Sequence, residues 1–261
     1  MALITCDFFS EALEVGTSMT VVLPQTTEEQ IGVSSVDVSA AGQGHGVPVL
    51  YLLHGLSDDH TAWLRYTSIE RYATARGLAV VMPAVHRSFY ADEAHGHAYW
   101  QFVSEELPRI VGAFFRLSER PEDTFVAGLS MGGYGALKLG LHHPERFSAV
   151  ASLSGAVDVR GLLLRDERAE IVQRVFDGTF SAQDDLYDLL AEADPEALPP
   201  LYIACGTEED RLMEANTRLA DQARALGVDV TTDFRPGVHE WGLWDDVIQD
   251  VIAWLPLPPG Q

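Results

Sequence analysis

The chain is short of positive charge. Its 261 residues hold 17 Lys and Arg against 39 Asp and Glu, a formal net charge of −22, and Lys138 is its one lysine. A surface of that sign repels nucleic acid phosphates and anionic membranes, and so excludes both as partners. Long apolar runs are missing too. No segment approaches the ~20 residues that span a bilayer, and Met1 to Phe9 has neither the basic start nor the apolar stretch of a signal peptide. Cysteine is scarce: Cys6 and Cys205 lie far apart and form no metal-ligand spacing. Reduced thiols in a cytoplasmic protein follow as the expectation, with a disulfide between the two as the alternative. Nothing decides between a monomer and a homo-oligomer.

What is present reads as one globular α/β unit. Hydrophobic residues make up 47% and charged residues 21%, which is the balance of a folded rather than a disordered chain. No repeat, low-complexity block or linker interrupts it. Apolar runs at Thr20 to Leu23, Val49 to Leu53, Ala79 to Met82, Phe125 to Ala127, Ala149 to Leu153 and Leu201 to Ala204 read as buried strands. Amphipathic stretches at Ser68 to Ala75, Val103 to Phe115, Gly135 to His142 and Leu212 to Leu226 separate them. Short buried strands between helices predict a mostly parallel sheet with helices on both faces. Ala2 to Phe9 and Ser18 to Pro24 follow one another with no helix between, which predicts antiparallel N-terminal strands. Gln25 to Gly46, polar and rich in Gly and Ser, reads as an exposed loop or hairpin. Val157 to Pro199 falls between two core strands and reads as a cap insertion, with helices over Ile171 to Phe176 and Asp184 to Ala193, and with Leu162, Leu163, Leu164, Ile171, Val172 and Phe176 expected to roof a short acyl tunnel.

The strongest chemical signal is Gly128-Leu-Ser130-Met-Gly132. A lone G-x-S-x-G is weak, but this one follows the apolar run Thr124 to Ala127 and precedes a helical pattern, the setting of a nucleophile elbow. The alternative is an ordinary glycine-rich turn. A serine hydroxyl needs a base and a group to orient that base. Three histidines follow Ser130. His142 and His143 end the helix after the elbow, where capping and packing explain them. His239, in the Pro/Gly loop Pro236 to Trp241, is the expected base. The acid should lie on the loop after Leu201 to Ala204, where Glu208, Glu209 and Asp210 compete. Asp210 is the expected acid, because a short side chain at a loop–helix junction is held rigidly. Asp158, one strand earlier, is an outside candidate.

Acyl transfer also needs oxyanion donors. The backbone N–H groups of Met131, next to the nucleophile, and Leu56, after Gly55, are the expected pair. His54, at a strand end ahead of the serine, reads as a structural hydrogen-bonding residue. His86, His95 and His97 share a loop with Asp92 and Glu93, but their spacing does not complete a zinc site. No metal or cofactor is expected.

Taken together, the segments Ser18 to Pro24, Leu50 to Gly55, Ala127 to Gly135, Cys205 to Glu208 and the Gly-x-His loop at His239 resemble the tributyrin esterase family, within the esterase D and S-formylglutathione hydrolase group. The resemblance spans most of the chain. It implies an α/β-hydrolase fold, hydrolysis of short-chain acyl esters through an acyl-enzyme, no cofactor, and the same roles for Ser130, Asp210, His239, Leu56 and Met131. Two departures stand out. Ser57-Asp58-Asp59 occupy a loop where the family has glycines, and the acid loop is one residue longer. A carboxylesterase acting on a small-molecule ester is therefore the expectation. The rivals are an S-formylglutathione hydrolase, a feruloyl or acetyl carbohydrate esterase, and, in another class, an acyltransferase or a non-catalytic binding relative.

Overall fold

A computed structural model describes residues 1–27, 29, 31, 45–163 and 165–257 of the protein. Most of the Gln25 to Gly46 loop thus lies outside the described residues. The chain opens with β1 (Ala2–Ser10) and β2 (Val15–Leu23), paired antiparallel with Ala2 opposite Leu23. Alternating exposure along β1 marks it as a half-covered edge strand. The remaining strands are β3 (Val49–Leu53), β4 (Ala79–Pro83), β5 (Thr124–Leu129), β6 (Ala149–Leu153), β7 (Leu201–Gly206) and β8 (Val230–Arg235). Every residue of β3, β4, β6 and β7 is buried, which explains why these runs are continuously apolar rather than alternating.

All eight strands form one sheet in the order β1-β2-β4-β3-β5-β6-β7-β8. Strands β3 to β8 run parallel, and β2 joins β4 antiparallel. Helices cover both faces, so two apolar clusters flank the sheet, one around Leu53, Val126 and Leu137 and the other around Leu52, Phe125 and Ile248. This is the α/β-hydrolase fold with antiparallel N-terminal strands.

Several helices differ from the periodicity. The short α1 (Ala62–Tyr66) precedes α2 (Ile69–Thr74), and its Trp63 donates to the Leu53 carbonyl at 3.1 Å. The segment expected from Val103 starts earlier. Helix α3 (Tyr99–Gln101) runs through a π-helical turn, Phe102–Glu106, into α4 (Leu107–Phe114). The π turn directs Glu106 inward, where it accepts from Ser10 Oγ and the Glu11 amide and locks the β1–β2 hairpin. Helix α5 (Met131–His142) begins directly after the elbow. The insertion holds α6 (Val159–Leu163), a 3₁₀ turn at Asp166–Arg168, α7 (Ala169–Phe176) and α8 (Leu186–Glu192). Helices α9 (Asp210–Ala225) and α10 (Trp241–Trp254) complete the chain. Cys6 and Cys205 are both free thiols, with Cys205 buried.

His54 has the structural role expected of it. Its Nε2 accepts from the Val85 amide at 3.0 Å and its Nδ1 lies 2.7 Å from the Gly55 carbonyl, so the neutral ring is locked in one tautomer. Burial lowers its pKa to about 4 from 6.5. The unfolded chain takes up this proton below about 6.5 while the folded chain refuses it until about 4. Stability is therefore complete above the upper value and falls as pH drops through this window, by up to about 3 kcal/mol. Urea unfolding between pH 7 and 4 should show this loss, and His54→Asn should flatten it. An equal slope in the variant would place the acid sensitivity elsewhere.

Candidate active site

β5 ends at Leu129 and α5 starts at Met131, leaving Ser130 as the whole of the turn. Its backbone sits at φ 53°, ψ −115°, a conformation that L-residues rarely adopt. The surroundings over-determine it. Ser130 N–H donates to the Leu153 carbonyl at 2.9 Å, and its own carbonyl accepts from Ala156 N–H at 2.9 Å and Tyr134 N–H at 3.2 Å. A Cβ on Gly128 would strike the Gly132 carbonyl, and one on Gly132 would strike the Leu53 carbonyl. The two glycines of the motif thus let strand and helix meet closely enough to push the serine out of the sheet.

The β8–α10 loop brings His239 over this turn. Its Nε2 lies 3.0 Å from Ser130 Oγ and its Nδ1 lies 2.5 Å from Glu209 Oε2. Trp244 presses against the imidazole with ring centroids 4.8 Å apart and planes at 87°. With Nδ1–H directed at a carboxylate, Nε2 is free to accept the serine hydroxyl proton.

The histidine's partner is Glu209, where Asp210 was expected. A turn closed by Glu209 N–H to the Gly206 carbonyl at 3.1 Å folds Glu209 back beneath the loop, and its side chain is 1% exposed. Asp210 is the next residue, the first of α9, and is exposed at the rim. The argument from side-chain length fails because rigidity comes from elsewhere. Glu209 Oε1 accepts from Ser154 Oγ at 2.6 Å and from Gly206 N–H at 2.9 Å, while Ser154 Oγ accepts from Trp244 Nε1 at 3.1 Å. Burial by itself would raise the Glu209 pKa, but hydrogen bonds from His239, Ser154 and Gly206 outweigh it and hold the carboxyl below its usual value. Glu208 is exposed. Asp158 is engaged away from the histidine, with Arg218 at 3.0 Å and Gly161 N–H at 2.9 Å.

Leu56 and Met131 line the cleft beside Ser130. Among the described residues neither backbone N–H has a protein acceptor, so both are available to an oxyanion. Gly55 packs against Ser130: a Cβ there would lie 3.7 Å from Ser130 Cβ and 2.8 Å from Asp58 Oδ2. The Asp58 carboxyl is half-buried, and that burial raises its pKa.

Five of the other histidines have partners away from Ser130. His142 and His143 lie against Trp100, and His142 Nε2 meets the Gln183 carbonyl at 3.0 Å. His86 and His97 meet Tyr99 edge-on, while His95 pairs with Asp177 at 3.0 Å. Among the described residues no cluster of His, Cys, Asp or Glu could hold a metal. Sequence reasoning missed Ser154 and Trp244. Ser154 is an ordinary strand-end serine by its spacing, and only its φ of 47° and its partners reveal its place.

The cleft above Ser130 has a volume of about 1030 Å³. Near the serine its wall is apolar, with Leu56, Phe89, Leu129, Met131, Trp241 and Trp244. Among the described side chains of the insertion, none of the aliphatic ones expected to cap the cleft lines it. Ile171, Val172 and Phe176 are buried, with Ile171 and Phe176 in the main core. Leu164, also expected there, lies outside the described residues, as do the side chains of Leu162 and Leu163. From this insertion Arg165 and Arg168 reach the cleft instead.

The model of the Esterase family matches residues 24–255. An acetyl esterase of Caldicellulosiruptor saccharolyticus is 28% identical over 268 aligned positions, covering 98% of each chain. Among solved structures, the fluorophosphonate-binding serine hydrolase FphF of Staphylococcus aureus superposes with a TM-score of 0.85 at 32% identity, covering 97% of this chain and 98% of its own. S-formylglutathione hydrolase FrmB of the same organism superposes with a TM-score of 0.80 at 33% identity and the same coverage.

Among the described residues, Ser130 is the cleft serine whose hydroxyl lies within hydrogen-bond distance of a histidine ring nitrogen. A fluorophosphonate probe should therefore label Ser130, as peptide mapping would show, and His239→Ala should slow that labelling by at least about 10³-fold. Label on a different serine would overturn the assignment.

Proposed function

Since the chain belongs to the Esterase family, we propose that it is a serine carboxylesterase acting on short-chain acyl esters through an acyl-enzyme. The observation that supports this most directly is the continuous run Ser130 Oγ, His239 Nε2, His239 Nδ1, Glu209 Oε2 at hydrogen-bond distances. In this reading Ser130 Oγ attacks the ester carbonyl while His239 Nε2 takes its proton. Glu209 stabilises the imidazolium that forms. The Leu56 and Met131 N–H groups receive the charge on the carbonyl oxygen. The tetrahedral adduct collapses as His239 protonates the departing alcohol, and a water activated by the same histidine then releases the acid. The reaction needs no metal or cofactor.

The substrate is a small-molecule ester. Nucleic acid and membrane remain unsuited to so acidic a chain, and no helix among the described residues is long and apolar enough to cross a membrane. Two unpaired thiols, one buried beside Glu209, fit a reducing cytoplasm. Thioester hydrolysis is a second reading, favoured by the likeness to the S-formylglutathione hydrolase over 97% of the chain. Comparing S-formylglutathione with 4-nitrophenyl acetate by kcat/KM separates the two.

The acid assignment has a sharp test. Glu209→Gln keeps the shape of the side chain but removes the charge that stabilises the imidazolium, so kcat should fall by up to ~10⁴-fold. Asp210→Asn should cost less than about threefold, as for a solvated surface charge. The reverse pattern would restore Asp210 as the acid.

Acyl chains of about two to six carbons should be preferred, each added methylene that is buried contributing about 0.8 kcal/mol. Activity on 4-nitrophenyl esters that climbs steadily to twelve carbons would refute the short-chain preference.

A further inference from the structure

The cleft divides its charges by side. Ser130 follows β5, with β3 and β4 on one flank of that strand and β6, β7 and β8 on the other. Arg87 lies on the loop after β4. Arg165 and Arg168 belong to the insertion, and hydrogen bonds tie that insertion to the same loop: Ala94 N–H to the Val175 carbonyl at 2.9 Å, His95 N–H to the Arg174 carbonyl at 2.9 Å, and Arg174 Nη2 to the Arg87 carbonyl at 3.1 Å. Arg174 also pairs with Glu93. Three arginines, on the β4 loop and on the insertion bound to it, thus line the cleft. The lining carboxylates Glu208, Asp210 and Glu240, together with Arg211, stand on the β7 and β8 side with His239.

Among the described residues seven of the sixteen arginines pair with carboxylates, as with Arg160 and Asp185, Arg218 and Asp158, and Arg235 and Asp250. Among the described residues Arg87, Arg165 and Arg168 make no such ion pair, in a protein of net charge −22 with carboxylates to spare. Asp58, on the β3 loop, is the one lining carboxylate of their side, leaving three cations against one anion. Unpaired guanidiniums at a cleft are suited to bidentate capture of a carboxylate.

The direction follows from the proton. The departing oxygen must receive its proton from His239 Nε2, which places the alcohol portion on the β8 side. The acyl portion then extends towards the arginine wall. Resting on the serine-esterase reading above, we propose that the cleft selects esters whose acyl group ends in a carboxylate, the half-esters of dicarboxylic acids, through Arg87, Arg165 and Arg168. Ser130 forms the ester bond to that acyl group, the alcohol leaves with the proton held by His239, and water completes the release of a dicarboxylate.

The test compares mono-4-nitrophenyl glutarate with the near-isosteric, neutral 4-nitrophenyl pentanoate, and 4-acetoxybenzoate with its methyl ester. The wild type should favour the glutarate over the pentanoate in kcat/KM by about tenfold at low salt. Roughly 0.5 M salt should erase most of that preference. The Arg87→Gln, Arg165→Gln, Arg168→Gln triple variant should lower the glutarate-to-pentanoate ratio by about tenfold. That ratio is internal to each preparation, so a partly misfolded variant does not distort it. A wild-type preference for the pentanoate, or a ratio unmoved in the triple variant, would overturn the proposal. An arginine-dependent preference for 4-acetoxybenzoate in place of the glutarate would also overturn it, since the anion would then lie on the leaving side. Turnover of none of the four esters would instead refute the esterase reading itself.

Discussion

There is no room for a side chain two residues to either side of Ser130, and much of the architecture around the site follows from that. Strand β5 and helix α5 meet so closely that a Cβ on Gly128 or Gly132 would hit backbone carbonyls. The turn between them shrinks to one residue, which is forced to a positive φ. Such strain persists only when neighbours hold it, and here β6 supplies the hold through the Leu153 carbonyl and the Ala156 amide. The parallel pairing of β5 with β6, Leu129 opposite Leu153, sets this register. The same constraint leaves Met131 N–H at a helix start with no intrahelical acceptor, so the serine hydroxyl and a free N–H arise from a single turn.

The second dependency is electrostatic. An ionised carboxylate as buried as that of Glu209 is costly unless its oxygens are filled by donors. The protein fills Oε1 with Ser154 and Gly206 and turns Oε2 on His239. Strands β6, β7 and β8 each end in one part of this arrangement. Ser154 caps β6, Gly206 and Glu209 follow β7, and His239 follows β8. Trp244 closes it from α10 by donating to Ser154 while its ring walls the imidazole. With both oxygens engaged, the carboxylate has little freedom to turn away, which gives a glutamate the fixity expected of a shorter acid.

The parallel sheet and the elbow were legible because each rests on a short stretch of sequence. Val49 to Leu53 could only be buried on both faces, and glycines two residues either side of Ser130 answer a local steric demand. His239 was legible by elimination, as the one histidine after Ser130 on a loop rather than a helix end. The carboxylate that meets His239 was not, because the choice between Glu209 and Asp210 turns on where α9 begins. A one-residue difference in a helix start swings a side chain through about 100°, and three neighbouring carboxylates offer no sequence signal to place it. Ser154 was invisible for a similar reason, since its partners come from β7 and α10, far away in the chain. The π turn at Phe102–Glu106 was also hidden, because its purpose is to aim Glu106 at a hairpin nearly a hundred residues upstream.

The insertion shows where hydrophobic counting misleads. Ile171, Val172 and Phe176 suggested an apolar roof, but α7 turns Ile171, Val175 and Phe176 into the core beside Phe89 and Phe180. An amphipathic helix can bury only one face, so the more apolar that face is, the more firmly its polar flank is directed elsewhere. Here that flank, with the 3₁₀ turn ahead of it, delivers arginines to the cleft. The hydrogen bonds joining the β4 loop and the insertion come from backbone and from Arg174, and leave Arg87, Arg165 and Arg168 to line the cleft. The global charge keeps unselected anions distant over about a Debye length, and the local cations act only inside the cleft. A protein can thus be strongly acidic overall and still hold a cationic wall at the site where charge would matter to its substrate.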